Sequence, residues 1–284
     1  MRLVTYDGGR GPRAGVLVGD SVVDAWDTLG EPAGEPSLAA LLREGRLEEA
    51  RGLDPGESRP LSEVALLPPI PAPSKIVCIG LNYRSHAEEA GQEPPATPTF
   101  FAKFANALSA PGAEVPLPAR SAKVDYEAEV AFVIGGRCRD VAEGEALRHV
   151  AGYMLLNDLS ARDLQFETPQ WMPGKVFDGA APCGPALVTP DEAGEHDAIE
   201  IELSVNGELR QSASTADLIH SVPALVSHLS GLMTLEPGDI VSTGTPAGVG
   251  SLRKPRVWLE PGDEIVISSP TLGRLETRIG ERSS

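Results

Sequence analysis

Glu127 and Glu129 stand two residues apart in Asp125-Tyr126-Glu127-Ala128-Glu129-Val130-Ala131-Phe132-Val133-Ile134, a segment otherwise composed like a strand. Side chains at i and i+2 of a strand share a face, so both carboxylates aim at one place. Two such charges repel and raise each other's pKa unless a cation lies between them. Asp158 closes the next apolar run, Tyr153-Met154-Leu155-Leu156-Asn157, and is placed to add a third oxygen. An all-carboxylate set suits a hard ion, Mg²⁺ or Mn²⁺, completed by water and substrate oxygens. The competing reading leaves both glutamates on the solvent face of an edge strand, the usual state of Glu. Against it, Ala131 and Val133 share the parity of the glutamates, so the strand is apolar on both faces beyond Glu129.

His86 and Glu89 are three apart at the start of a short helix, so their side chains can meet. A carboxylate that orients an imidazole makes a usable general base near neutral pH; a lone exposed histidine is the plainer alternative. Asp158, Arg162 and Gln165 line one face if a helical turn begins near Asp158. Lys175 sits in the Gly-bounded turn Gly174-Lys175-Val176-Phe177-Asp178-Gly179. Thr243-Gly244-Thr245-Pro246-Ala247-Gly248-Val249-Gly250 follows a strand, and its N–H groups and the Thr245 hydroxyl could hold a carboxylate. No G-x-S-x-G elbow, HExxH or P-loop occurs, which counts against serine hydrolase, zinc protease and NTPase.

These groups need a scaffold. The 284 residues, 41% hydrophobic and 23% charged, suffice for one large domain plus a small one. Residues 52–73 carry six prolines and read as a linker. They divide a small N-terminal α/β domain, 1–70, from a main domain, 71–284. In the first, short strands are expected over 3–6, 14–18 and 21–24, and a helix over 38–50 capped by Ser37. Gly9-Arg10-Gly11-Pro12-Arg13-Ala14 is a hairpin turn rather than a dinucleotide fingerprint, because a strand follows it. In the second, strands are expected at 75–80 and 99–104, a helix at 84–91 ended by Gly91, a loop at 109–123, a hairpin turning at Asn206-Gly207 and a helix at 217–233. Strands dominate, so the fold class is α+β, mostly β: a β-roll or sandwich with few helices.

The net charge of −17 argues against nucleic acid or an anionic membrane as partner, and it makes any cation beside the acids informative for an anionic substrate. Three separated cysteines without a CxxC pair point away from zinc and disulfides and toward a reducing cytoplasm. The start of the chain does not read as a signal peptide.

Taken together, residues 74–270 resemble the fumarylacetoacetate hydrolase family. The resemblance rests on Gly80-Leu81-Asn82-Tyr83 with His86 and Glu89, Asp125-Tyr126-Glu127-Ala128-Glu129, Asn157-Asp158 with Ser160-Ala161-Arg162-Asp163-Leu164-Gln165, Gly174-Lys175 with Phe177-Asp178, and Thr243-Gly244-Thr245-Pro246 with Gly248-Val249-Gly250. It implies a mixed β-sandwich roll, a homodimer, and one Mg²⁺ or Mn²⁺ on Glu127, Glu129 and Asp158. It also implies a His86–Glu89 dyad that activates water and Lys175 as oxyanion partner. Arg162, Gln165 and Thr245 are implied as substrate contacts, with Lys103 in a matching segment. Long eukaryotic members carry a further Asp ligand where Gly80-Leu81-Asn82 stands here, so three protein ligands are expected.

The reaction expected first is C–C hydrolysis of a 2,4-dioxo acid such as an acylpyruvate or fumarylpyruvate. Cleavage leaves negative charge at C3 that spreads onto the 2-oxo oxygen, where a divalent ion stabilises it. Oxaloacetate decarboxylation and 2-hydroxy-dienoate isomerisation pass through related enolates at the same site. A ligand-binding module without catalysis is the alternative from another class. Trp171, Met172 and Phe166 either line the pocket for the distal group or belong to the core.

Overall fold

The computed structural model describes residues 1–9, 11–54, 56 and 58–283. Arg10 of the first turn and Pro55 and Glu57 of the Pro-rich stretch lie outside the described residues. Two sheets form a sandwich. The main path runs Ser58–Pro60, Ser21–Asp24, Pro12–Val18, Arg2–Asp7, Ala181–Val188, Val150–Asn157, Ala128–Ile134, Ile240–Ser242, Ile76–Gly80, Thr99–Lys103. The second sheet has the order Glu208–Ser214, Glu200–Val205, Glu264–Ser269, Gly273–Arg282, Glu114–Leu117. It packs across Ala128–Ile134, Val150–Asn157 and Ala181–Val188 of the first. Both sheets are mixed: Ile240–Ser242 runs parallel to Ile76–Gly80, and Gly273–Arg282 parallel to Glu114–Leu117.

Ala128–Ile134 lies mid-sheet, antiparallel to Val150–Asn157 on one side and Ile240–Ser242 on the other. All seven of its residues are buried. That is why it reads as a nearly unbroken apolar run, the pattern of a strand covered on both faces. The solvent-face reading of the glutamates therefore fails.

Several local expectations hold. The three N-terminal strands form, and the Asn206-Gly207 turn has both residues at positive φ, as a two-residue hairpin requires. The helix Arg84–Ala90 ends on Gly91 in the left-handed conformation. Others need correction. The helix expected over 38–50 is two pieces, Leu38–Arg43 and Leu47–Ala50, because Gly45 at φ 68° breaks the turn between them. The loop expected over 109–123 contains the strand Glu114–Leu117, which tolerates Pro116 at the edge of the second sheet. The helix expected over 217–233 begins only at Val222, capped by Ser221.

Among the described residues the first 70 build no sheet of their own. Arg2–Asp7 pairs with Ala181–Val188 and extends the main sheet. The Pro-rich stretch is not a free tether either, since Ser58–Pro60 and Leu66–Leu67 both pair with N-terminal strands. No helix among the described residues is long and apolar enough to cross a membrane.

Candidate active site

Where Ala128–Ile134 and Val150–Asn157 end side by side, their neighbours turn inward together. Glu127 immediately precedes the first strand and Asp158 immediately follows the second. Glu127 N–H donates to Asn157 Oδ1 and Asp158 N–H to the Glu127 carbonyl, which locks the two acids in register. Glu127, Glu129 and Asp158 each offer a carboxylate oxygen, and these oxygens lie within 4.8 Å of one another. All three residues are buried, at 5%, 2% and 0% exposure. At an effective dielectric of about 20, each such pair of charges repels by roughly 3 kcal/mol. The site must answer that repulsion.

It does so unevenly. Lys175 Nζ donates to Glu127 Oε2 at 2.6 Å and to Asp158 Oδ2 at 2.8 Å. Lys103 Nζ donates to Asp158 Oδ1 at 2.6 Å. Arg162 Nη2 lies 2.6 Å from Glu127 Oε1, and its Nε donates to Asp125 Oδ2 at 2.9 Å. Glu129 has no cation among the described residues; it accepts only from the Ser242 hydroxyl and from Gly244 N–H at 3.1 Å. Burial, then Asp158 and Glu127, push its carboxyl well above the usual range. Burial acts the same way on Glu127, but Arg162 and Lys175 outweigh it and hold that carboxyl below its ordinary value. Burial opposes the charge on Lys175, and Asp158 and Glu127 more than restore it.

Four buried carboxylates, those of Asp125, Glu127, Glu129 and Asp158, thus face three buried cations. A divalent ion is the missing partner that the geometry fits. The donors are all oxygen, they converge, and one carboxylate lacks a counter-charge. Leaving an ionised carboxylate buried without one costs several kcal/mol.

His86 and Glu89 do meet, with Nδ1 3.4 Å from Glu89 Oε2. The His86 side chain is 14% exposed and lines a cavity of about 450 Å³ with the three acids. Glu89 also accepts from Gly248 N–H at 3.1 Å, so the helix Arg84–Ala90 is tied to the loop after Ser242. Burial raises the Glu89 carboxyl, but His86 and that N–H leave it below its ordinary value.

Arg162, Gln165, Lys175 and Thr245 line the same cavity. Arg162 Nη1 donates to Gln165 Oε1 at 3.0 Å, and Thr245 Oγ1 accepts from Gln211 Nε2 at 2.8 Å. The helical turn, however, is only Arg162–Gln165; Ser160–Ala161 are a short strand paired with Val124–Asp125. Lys175 comes close because Gly174 packs against backbone. A Cβ there would lie 2.5 Å from the Ala161 carbonyl oxygen.

Four site expectations need correction. Lys103 does not line the cavity; its side chain is fully buried and holds Asp158 from behind. The N–H groups after Ser242 serve the protein's own acids: Gly244 binds Glu129, Gly248 binds Glu89, and Gly250 and Ser251 bind Asp125. Met172 stays off the cavity, whereas Trp171 and Phe166 line it. Glu127 lies just before the strand rather than in it. Sequence reasoning did not single out Asp125, whose carboxylate takes three N–H groups besides Arg162. Its only sequence signal was an acid adjacent to the glutamate pair.

Replacing Lys103 with Met should cost about 3–5 kcal/mol, because it strands part of a buried ion pair. Urea unfolding in EDTA measures this. A loss under about 1 kcal/mol would mean Lys175 alone holds Asp158.

Comparison with known proteins bears on what this arrangement does. Residues 75–280 match the family model "Fumarylacetoacetate (FAA) hydrolase C-terminal". The bovine protein named oxaloacetate tautomerase FAHD2B, mitochondrial, is 42% identical over 222 residues, covering 78% of this chain and 71% of the relative. The maleylpyruvate hydrolase of Sphingobium sp. SYK-6, solved with manganese(II) and pyruvate, superposes with TM-score 0.81 at 33% identity over the full length of both chains. The 2-hydroxyhepta-2,4-diene-1,7-dioate isomerase of Mycobacterium marinum does so with TM-score 0.80 at 34% identity, again over both full chains.

Proposed function

The chain belongs to the fumarylacetoacetate hydrolase family, and from that premise we propose that it moves a proton at C3 of a 2-oxo acid, with keto–enol tautomerisation of oxaloacetate first. The observation that carries this is His86, oriented by Glu89, on the wall of a cavity whose buried floor is Glu127, Glu129 and Asp158. Tautomerisation asks least of that set. A base takes the C3 proton and delivers it to the 2-oxo oxygen, and positive surroundings hold the charge that spreads to that oxygen in between. His86 is the base. A divalent ion on the three acids would supply a Lewis acid toward the 2-oxo oxygen. Arg162, Gln165 and Thr245 line the cavity as hydrogen-bonding contacts for the 2-oxo acid head. Lys175 commits two of its three N–H donors to Glu127 and Asp158 and keeps one for the substrate.

Hydrolysis of a 2,4-dioxo acid, first on the sequence alone, becomes the second reading. It needs the same base, acting on water, and room for an acyl group. The cavity of about 450 Å³ and the likeness to a maleylpyruvate hydrolase favour it.

The test follows ultraviolet absorbance of enol-oxaloacetate with chelated and with Mn²⁺-loaded protein, beside a panel of 2,4-dioxo acids. Metal-dependent enol decay without pyruvate release is the expected result. Cleavage of the panel alone would put hydrolysis first. A Mn²⁺-loaded protein that accelerates neither is a binding module.

A further inference from the structure

We propose that Gln211 is a positioning residue that fixes the Thr245 hydroxyl as a hydrogen-bond donor into the cavity, toward an oxygen of the bound 2-oxo acid. The inference rests on the 2-oxo acid reading of the site. Gln211 is only 2% exposed, although it belongs to Glu208–Ser214, the edge strand of the second sheet, whose other residues are exposed or half-buried. A buried amide must find partners for its oxygen and for both N–H groups, because each group left unpaired is costly.

Gln211 finds all of them. Its Oε1 accepts from Ala128 N–H at 2.9 Å, and its Nε2 donates to Thr245 Oγ1 at 2.8 Å and to the Pro246 carbonyl at 2.9 Å. The amide cannot be turned over. Reversed, its NH₂ would face the Ala128 N–H, donor against donor, and its oxygen the Pro246 carbonyl, acceptor against acceptor. The direction of the bond to Thr245 is therefore set. Thr245 Oγ1 accepts and keeps its own proton for another partner. Among the described residues the Thr245 hydroxyl donates to none. Thr245 is 4% exposed and lines the cavity, so an oxygen of a bound acid is the acceptor it lacks.

The same side chain ties this donor to the acids. Ala128 stands between Glu127 and Glu129, so Gln211 bridges that stretch of backbone to the loop that carries Thr245. Gly244 of the loop binds Glu129 as well. The hydroxyl thus keeps a fixed place relative to the acidic floor. Gly248 permits the close approach: at φ 106° it lets the loop lie against the strand, where a Cβ would collide with the Arg210 carbonyl oxygen.

Oxalate, a flat dianion shaped like the enolate of a 2-oxo acid head, is the probe, with calorimetry on Mn²⁺-loaded protein. Thr245→Val should weaken oxalate by about tenfold or more, the size of one hydrogen bond to a charged group, and Thr245→Ser should recover most of that loss. Gln211→Met should cost about as much as Thr245→Val, because the released hydroxyl can turn to the Pro246 carbonyl. The two changes together should cost no more than either alone, whereas a merely structural role for Gln211 would make the losses multiply. Gln211→Glu keeps the shape and an oxygen for Ala128 N–H but makes the donor an acceptor. It is the second variant should Gln211→Met fold poorly, and its loss should be smaller in the Thr245→Val background. The Mn²⁺-dependent thermal shift should persist throughout. Unchanged oxalate affinity in Thr245→Val, or losses that multiply, overturns the assignment while leaving the 2-oxo acid reading intact. A Mn²⁺-loaded parent that binds neither oxalate nor oxaloacetate overturns that reading and the donor role with it.

Discussion

Glu129→Gln should abolish metal-dependent turnover and lower Mn²⁺ affinity by at least about a hundredfold, beyond the usual effect of losing a supporting group around a metal. The size follows from the asymmetry of the site. Glu127 and Asp158 are partnered by Lys175, Arg162 and Lys103, whereas Glu129 has only a hydroxyl and one N–H. Its charge is therefore the part of the acidic cluster left to bind an added cation. A thermal shift reads this without activity. An ion present at about a hundred times its Kd stabilises the unaltered protein by about 2.7 kcal/mol. The variant should lose that shift. In EDTA it should be no less stable than its parent, since glutamine keeps an oxygen to accept from Ser242 and Gly244 and cuts no ion pair. A variant that keeps the Mn²⁺-dependent shift would show that the three oxygens do not share an ion.

His86→Ala should reduce kcat by about 10²–10⁴-fold while leaving the Mn²⁺-dependent thermal shift in place. Among the described residues the His86 side chain hydrogen-bonds to Glu89, at 3.4 Å, and to none of the three acids that would hold the ion. Loss of rate with retained metal binding is the signature of a missing proton carrier. Substitution of Glu89 is a poorer probe, because its carboxylate also holds Gly248 N–H and ties two segments together. Turnover of enol-oxaloacetate or of an acylpyruvate that survives His86→Ala would move the base elsewhere in the cavity. Arg162 and Lys175 are held as cations by their buried partners and are poor substitutes.

Both predictions concern residues visible in the sequence, and for one reason. Which side chains point together depends on local geometry: period two in an extended segment and period three to four in a helix. Those rules bring Glu129 alongside Glu127 and Glu89 alongside His86, and Asp158 joins because it terminates the adjacent apolar run. The Asn206-Gly207 hairpin and the Gly91 helix end are legible for similar local causes.

Burial and charge partnership are not local. Ala128–Ile134 is central only because Ile240–Ser242, more than a hundred residues later, pairs along its other edge. That pairing buries Glu129 and brings Ser242 and Gly244 to its carboxylate. Lys103 looked like a substrate contact until the sheet order placed its side chain behind Asp158. The N–H groups after Ser242 looked free until folding delivered Glu129, Glu89 and Asp125 to them. The sequence by itself therefore determined which chemical groups could act as ligands and base. Only the tertiary structure decided which charges are neutralised from within and which face the cavity, because that depends on strand pairings that close loops of fifty to more than a hundred residues.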